Sequence, residues 1–177
     1  MYSEQVVLLN EQHQPIGQMS KKDVHHQHTP LHLGFSCYIL NRLGQLLITR
    51  RAFSKKTWAG VWTNSVCGHP APGEPIPQAV MRRSRQELGL NITTPKLLVA
   101  DYRYRAKDVS GVVEYEYCPI WVARAISPVV INRHEVMDYQ WVNPDDLAKA
   151  SELMPTVFSP WMVEQIALLQ ACELWIS

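Results

Sequence analysis

Apolar and polar residues alternate in short runs along most of this chain, and the runs predict strands more often than helices. Residues 6–10 read as a short strand ended by a polar turn over 11–17. The β-prone runs 34–40 and 45–50 are joined by Asn41-Arg42-Leu43-Gly44, a hairpin signature. Further strands are predicted over 97–104 and 112–123, with Asp108-Val109-Ser110-Gly111 as the turn between them, and a short one over 139–142. The clearest helix spans 76–88. Pro75 and Pro77 suit its opening turn, Gly89 sits at a C-terminal cap, and Ile76, Ala79, Val80 and Leu88 form a buried stripe. Asn143-Pro144-Asp145-Asp146 opens a second helix, and Ser159-Pro160 opens a last one ending near residue 170. The tail at 171–177, with Trp175 and Ile176, either packs on the body or frays. No repeat or dividing linker interrupts the pattern. It predicts one α+β domain over 1–177, a mixed sheet flanked by helices.

Composition narrows the function classes. With 17 Lys and Arg against 16 Asp and Glu, the net charge of +1 gives no global field toward nucleic acid or an anionic membrane. Any phosphate affinity must come from a local basic cluster, and a basic, aromatic loop with Arg50, Arg51, Lys55, Lys56, Trp58 and Trp62 follows the hairpin. No apolar run approaches the roughly 20 residues that span a bilayer, and the first residues lack signal-peptide features. Cys37, Cys67, Cys118 and Cys172 form no CxxC pair, so a reducing, cytoplasmic setting is expected.

Candidate chemistry begins with histidine. His25, His26, His28 and His32 fall within eight residues, although the zinc-finger spacings are not met and a solvated loop fits equally. Glu114-Tyr115-Glu116 changes that balance. On a strand, residues two apart share a face, so the carboxylates project together and repel unless a proton or cation joins them. Flanking Val112, Val113, Ile120 and Trp121 mark that strand as partly buried. Cys67-Gly68-His69 places a thiol beside a further imidazole, where it could be a nucleophile, an acid/base, a ligand or a small core residue. Arg83 and Glu87 share a helix face, either as a surface ion pair or turned together toward a phosphate and its cation.

Gly68, Glu74, Arg82, Glu87 and Gly89 resemble the Nudix box, with Arg83 and Gln86 standing where the hydrolases of that superfamily carry glutamate. Those departures, with Thr49-Arg50-Arg51, Ser54-Lys55-Lys56, Thr63-Asn64-Ser65-Val66-Cys67-Gly68-His69-Pro70, Tyr102-Arg103-Tyr104, Glu114-x-Glu116 and Phe158-Ser159-Pro160-Trp161-Met162, are similar to the type I isopentenyl-diphosphate isomerases. The likeness runs from about residue 6 to residue 170.

That resemblance implies a Nudix-like mixed sheet with the box at 68–90, and isomerisation of isopentenyl diphosphate to its dimethylallyl isomer through a tertiary carbocation. It also implies a divalent-metal site of His25, His32, His69, Glu114 and Glu116, taking manganese, zinc or magnesium. Glu87 would hold a magnesium ion bound with the substrate diphosphate, and Lys21, Arg51, Lys55 and Arg83 would contact that diphosphate. Cys67 and Glu116 would be the acid/base pair, assisted by Tyr104, with Trp161 over the reacting carbons. His26 and His28 have no role in this scheme. No flavin, nucleic acid or membrane is implied, and a monomer is expected. The competing expectations are a Nudix hydrolase of nucleoside diphosphate derivatives, and a non-catalytic module whose histidines serve structure alone.

Overall fold

A computed structural model describes residues 4–171; Cys172 and the tail with Trp175 and Ile176 lie outside the described residues. Strands β1 (Gln5–Leu9) and β2 (Pro15–Ser20) form a hairpin, and helix α1 (Lys21–Val24) leads to β3 (His32–Leu33), β4 (Phe35–Leu40) and β5 (Leu46–Arg51). Two short strands, β6 (Trp62–Thr63) and β7 (Val66–Gly68), precede helix α2 (Ile76–Leu88). Then come β8 (Lys96–Val99), β9 (Arg103–Lys107), β10 (Val113–Tyr117), β11 (Ile120–Arg124), β12 (Val136–Val142), α3 (Pro144–Leu153) and α4 (Pro160–Ala171). They make two mixed sheets, ordered β2-β1-β3-β10-β9 and β12-β5-β4-β11-β8, with β6 paired to β5 and β7 to β4.

Strand β4 is buried on both faces, as its unbroken run Phe-Ser-Cys-Tyr-Ile-Leu requires. Phe35, Cys37 and Ile39 face α2 residues Ala79, Val80 and Leu88. Tyr38 and Leu40 face the opposite layer, where Met162, Ile166 and Leu169 of α4 pack. Helix α2 begins at Ile76 with a proline in its first turn and ends at Gly89, whose φ of 55° suits a residue without a Cβ. Its Arg83 and Glu87 are buried, so their pairing is no surface ion pair.

Three predicted elements are revised. The expected strand over 97–104 is two strands, β8 and β9, in different sheets, and 112–123 likewise divides into β10 and β11. Pro119 marks the second division: it has no N–H for a ladder, and its carbonyl accepts from Ser36 N–H at 3.1 Å as the chain changes sheets. The polar turn over 11–17 is shorter than predicted, because β2 starts at Pro15.

The predicted hairpin of β4 and β5 closes at the single rung Leu40–Leu46 and then splays. Into the fork enters the segment from β6 to β7, pairing Thr49 with Thr63 on one side and Ser36 with Cys67 on the other. Side chains replace ladder bonds at the crotch: Ser65 Oγ accepts from Ile39 N–H at 2.7 Å and donates to the Leu47 carbonyl at 2.6 Å. Thr49 Oγ1 donates to the Asn64 carbonyl at 2.9 Å. Cys67 therefore sits on a wedge held between two core strands.

Ser65→Ala would leave two buried backbone groups without partners, and the expected loss is about 2–4 kcal/mol of unfolding free energy. Urea denaturation measures it; a loss below about 0.5 kcal/mol, the range of an inconsequential surface change, would show that the wedge is held by packing alone.

Candidate active site and metal centre

Register builds the centre of the site. Strand β3 runs parallel to β10 with His32 opposite Glu116, and Tyr104 of β9 lies opposite Glu116 from the other side. His25 follows α1 in a loop pinned to β10, where Val113 N–H donates to the His26 carbonyl at 2.9 Å. Thr29 Oγ1 also bonds the Val113 carbonyl, and Lys56 Nζ clamps the His25 carbonyl. His69 stands just past β7.

These elements bring ligand atoms of His25, His32, His69 and Glu116 within 4.8 Å of one another. His69 Nε2 lies 2.9 Å from Glu116 Oε1 and 3.3 Å from His32 Nε2. His32 Nδ1 lies 2.9 Å from the Pro30 carbonyl. That carbonyl accepts only, so Nδ1 carries the proton and Nε2 turns a lone pair toward the cluster. His25 Nε2 and His69 Nδ1 are buried without a hydrogen-bond partner. Three converging imidazoles and a carboxylate, with the buried His25 Nε2 left without a hydrogen-bond partner, fit a divalent cation, whereas the orphaned His69 Nδ1 lies on the ring edge away from the Nε2 that joins the cluster.

Gly34 makes room for this arrangement. A Cβ there would stand 2.8 Å from the Glu116 carboxyl carbon and closer still to an oxygen. The expected fifth ligand, Glu114, stands apart from the four. It is buried, accepts from Tyr104 Oη–H at 2.9 Å and pairs with Thr57 Oγ1. Tyr104 thus touches Glu114, where it was expected to assist Glu116. The two carboxyls also differ in acidity. Burial, with the Glu116 charge alongside, raises Glu114 above the usual range, against the pull of Arg51. Burial acts on Glu116 too, but His69 and His32 overturn it and hold that carboxyl well below.

A cavity of about 660 Å³ opens beside the cluster and is lined by every predicted site residue except His32, which is wholly buried behind it. In its lining, Lys21 pairs with Glu4 at 2.6 Å, Lys55 with Glu135, and Arg83 with Glu87, with Glu135 at 3.4 Å and with Glu4 at 3.8 Å. Cys67, Tyr104 and Trp161 line it outside that ion-pair network, with the Tyr104 and Trp161 rings 5.6 Å apart. Burial pushes the Cys67 thiol up to about 12, against hydrogen bonds to Ser36 and Asn64. Arg51 donates to the Thr57 carbonyl at 2.9 Å, with its guanidinium 5.5 Å from the Trp161 ring centre.

Sequence reasoning missed Glu4, Glu135 and Asn64. No spacing signal marks Glu4 or Glu135. Asn64 carried one, a polar residue between the β-prone residues Thr63 and Val66.

The NUDIX domain family model matches residues 30–162. An isopentenyl-diphosphate Delta-isomerase of Escherichia coli is 52% identical over 98% of this chain and 96% of that protein. A second, of Kocuria rhizophila, is 52% identical over 92% of this chain and 91% of that one. Among solved structures, DR0079 from Deinococcus radiodurans covers 93% of this chain and 98% of its own with a TM-score of 0.72 at 19% identity. MutT protein from Methanosarcina mazei Go1 covers 81% of this chain and 96% of its own, with a TM-score of 0.67 at 16% identity. Those two likenesses speak to the fold.

Gly34→Ala is expected to push the Glu116 carboxylate off the cluster and weaken binding of manganese(II) about 10–100-fold, measured by competition against a chelator. Unchanged affinity would remove Gly34 from the account of the centre.

Proposed function

The chain belongs to the isopentenyl-diphosphate Delta-isomerases of the NUDIX family, and we propose that the cavity beside the cluster binds the diphosphate at Arg83 and its neighbours and moves protons at Cys67 and Glu116. The reaction interconverts isopentenyl and dimethylallyl diphosphates. The observation that carries the residue roles is that the lining falls into two contact groups, the ion-pair network of Lys21, Lys55 and Arg83 with Glu4, Glu87 and Glu135, and the linked set of Cys67, Trp161, Tyr104 and Glu114.

The alkene of the substrate is a very weak base, so its proton donor must be held in contact with it. Glu116 and Cys67 come from different strands, β10 and β7, and both line the cavity. They flank the hydrocarbon; one protonates the terminal carbon and the other removes a proton across the tertiary cation. Tyr104, bonded to Glu114, keeps that second carboxyl oriented beside the first. The Trp161 indole attracts the cation without offering a nucleophile, an interaction worth about 2 kcal/mol or more when desolvated. Exclusion of water here keeps the cation from becoming an alcohol.

A divalent cation held by His25, His32, His69 and Glu116, with Glu114 completing the set, would orient the Glu116 carboxyl and make it a stronger acid. Manganese, zinc and magnesium all match these donors. In the ion-pair network, three basic side chains already face three carboxylates. That group carries little surplus charge, so a magnesium ion held by Glu87 would supply the missing positive charge and leave Arg83 available to phosphate oxygens, with Lys55 and Lys21 alongside. Arg51 bridges toward Trp161.

Because the site draws on residues from His25 to Trp161, the catalytic unit is the whole domain acting as a monomer on a small molecule. The free thiols of Cys37, Cys67 and Cys118 support work in the reducing cytoplasm. Among the described residues no helix is long and apolar enough to cross a membrane.

Incubation with isopentenyl diphosphate and magnesium should yield the dimethylallyl isomer; its absence from protein with metal bound sinks the reading. Cys67→Ala and Glu116→Gln should each cut kcat by about 10²–10⁴-fold with unchanged circular dichroism. Arg83→Ala should chiefly raise KM, and steady-state kinetics would expose the opposite pattern.

A further inference from the structure

Resting on that reading of the cavity, we infer that Asn64 is a positioning residue, a single carboxamide oxygen that sets the acid/base thiol and the cation-facing indole relative to one another. Asn64 is wholly buried at the crotch between β6 and β7. Its Oδ1 accepts from Cys67 Sγ–H at 2.9 Å, from Trp161 Nε1–H at 3.1 Å and from Thr63 Oγ1–H at 3.0 Å. Its Nδ2 donates to the carbonyls of Val66 at 3.1 Å and Cys37 at 3.4 Å. The chemistry allows one orientation of the amide. An indole N–H only donates and backbone carbonyls only accept, so oxygen must face Trp161 and nitrogen must face the two carbonyls.

Two of the three donors to Oδ1, the thiol and the indole N–H, have no second hydrogen bond as short. The thiol has one more neighbour, Ser36 Oγ at 3.5 Å. Trp161 arrives on α4, an element separate from the wedge that carries Cys67. Other bonds hold α4 itself to the fork: Ser159 N–H donates to the Trp62 carbonyl at 2.8 Å, the Ser159 hydroxyl lies 2.8 Å from Thr63 Oγ1, and Gln165 Nε2 donates to Ser36 Oγ at 2.9 Å. Asn64 is what ties the indole N–H to the thiol, so the two groups that must flank and face the same carbon chain are hung from one atom. Proton transfer to an alkene tolerates little misplacement of the donor, about 1 Å costing about 100-fold in rate. Asn64 bonds Cys67, Trp161, Thr63 and backbone groups and none of Lys21, Lys55, Arg83 or Glu87, so removing its oxygen should spare binding of the diphosphate.

Two variants of the full chain test this. Asn64→Leu keeps the shape and removes the acceptor; Asn64→Asp keeps an oxygen facing the thiol and the indole. The Leu variant should lose at least about 100-fold in kcat with KM within about threefold of the parent. The Asp variant should recover at least about tenfold of that loss. In ¹H–¹⁵N spectra, the Trp161 indole N–H signal, identified by its loss in Trp161→Phe, should move upfield in the Leu variant and stay near its parent position in the Asp variant. A folded Leu variant with kcat within about threefold of the parent, or with the indole signal unmoved, overturns the inference. So does an Asp variant that holds the signal yet turns over no faster than the Leu variant. Should the Leu variant not fold, the Asp variant decides: a retained signal with kcat within about tenfold of the parent supports the role, and a displaced signal or slower turnover overturns it. A parent protein that does not isomerise the substrate sinks the reading of the cavity, while the spectra still report on the anchor.

Discussion

Four side chains that satisfy one another badly are held together out of water, and the rest of the site depends on that constraint. His25, His32, His69 and Glu116 converge, yet two of the imidazole nitrogens have no partner. Each bare buried polar atom costs about 1–3 kcal/mol. Left to itself such a cluster would spread apart. It is kept closed by restraints on its backbone: the clamp of Lys56 on the His25 carbonyl, the Pro30 carbonyl behind His32, and the missing side chain at Gly34. A divalent cation would offset the cost at His25 Nε2 and the crowding of Glu116 against two imidazoles, because those ligand atoms already converge. The same preorganisation fixes the Glu116 carboxyl, to which the proposed reading gives the acid/base role.

The cavity extends that logic to the substrate. Charge is matched pair by pair around Arg83, and the lining around the thiol is built from neutral or deeply buried groups. For the proposed substrate, that contrast would favour an anionic head against the paired charges and a hydrocarbon tail against the thiol and indole. Orientation comes from dielectric contrast as much as from any single contact.

Much of this was legible in the chain, for identifiable reasons. Helix α2 announced itself because Pro77 and Gly89 are conformationally costly elsewhere. Glu114 and Glu116 could be read as a pair because strand periodicity puts them on one face. The division of 97–104 and 112–123 between two sheets was hidden because the sheet each half joins depends on partners distant in sequence, although Asp101 and Pro119 stand at the breaks. The hold of Thr57 and Tyr104 on Glu114, beside the four converging side chains, was equally hidden, because their proximity is tertiary. Asn64 escaped because its significance lies in which donors reach it, and local pattern carries no trace of that.

Strands β3 and β10 meet in only two parallel rungs, Glu116 with His32 and Tyr117 with Leu33. Parallel pairing over so long a loop carries a closure cost that must be met before its contacts reward it, and such contacts form late in folding. A growing polypeptide on the ribosome therefore holds its histidines as separate, weakly coordinating groups until the segment around Glu116 has been made and docked. The ion trap and the strong acid come into being together, and a half-made chain possesses neither.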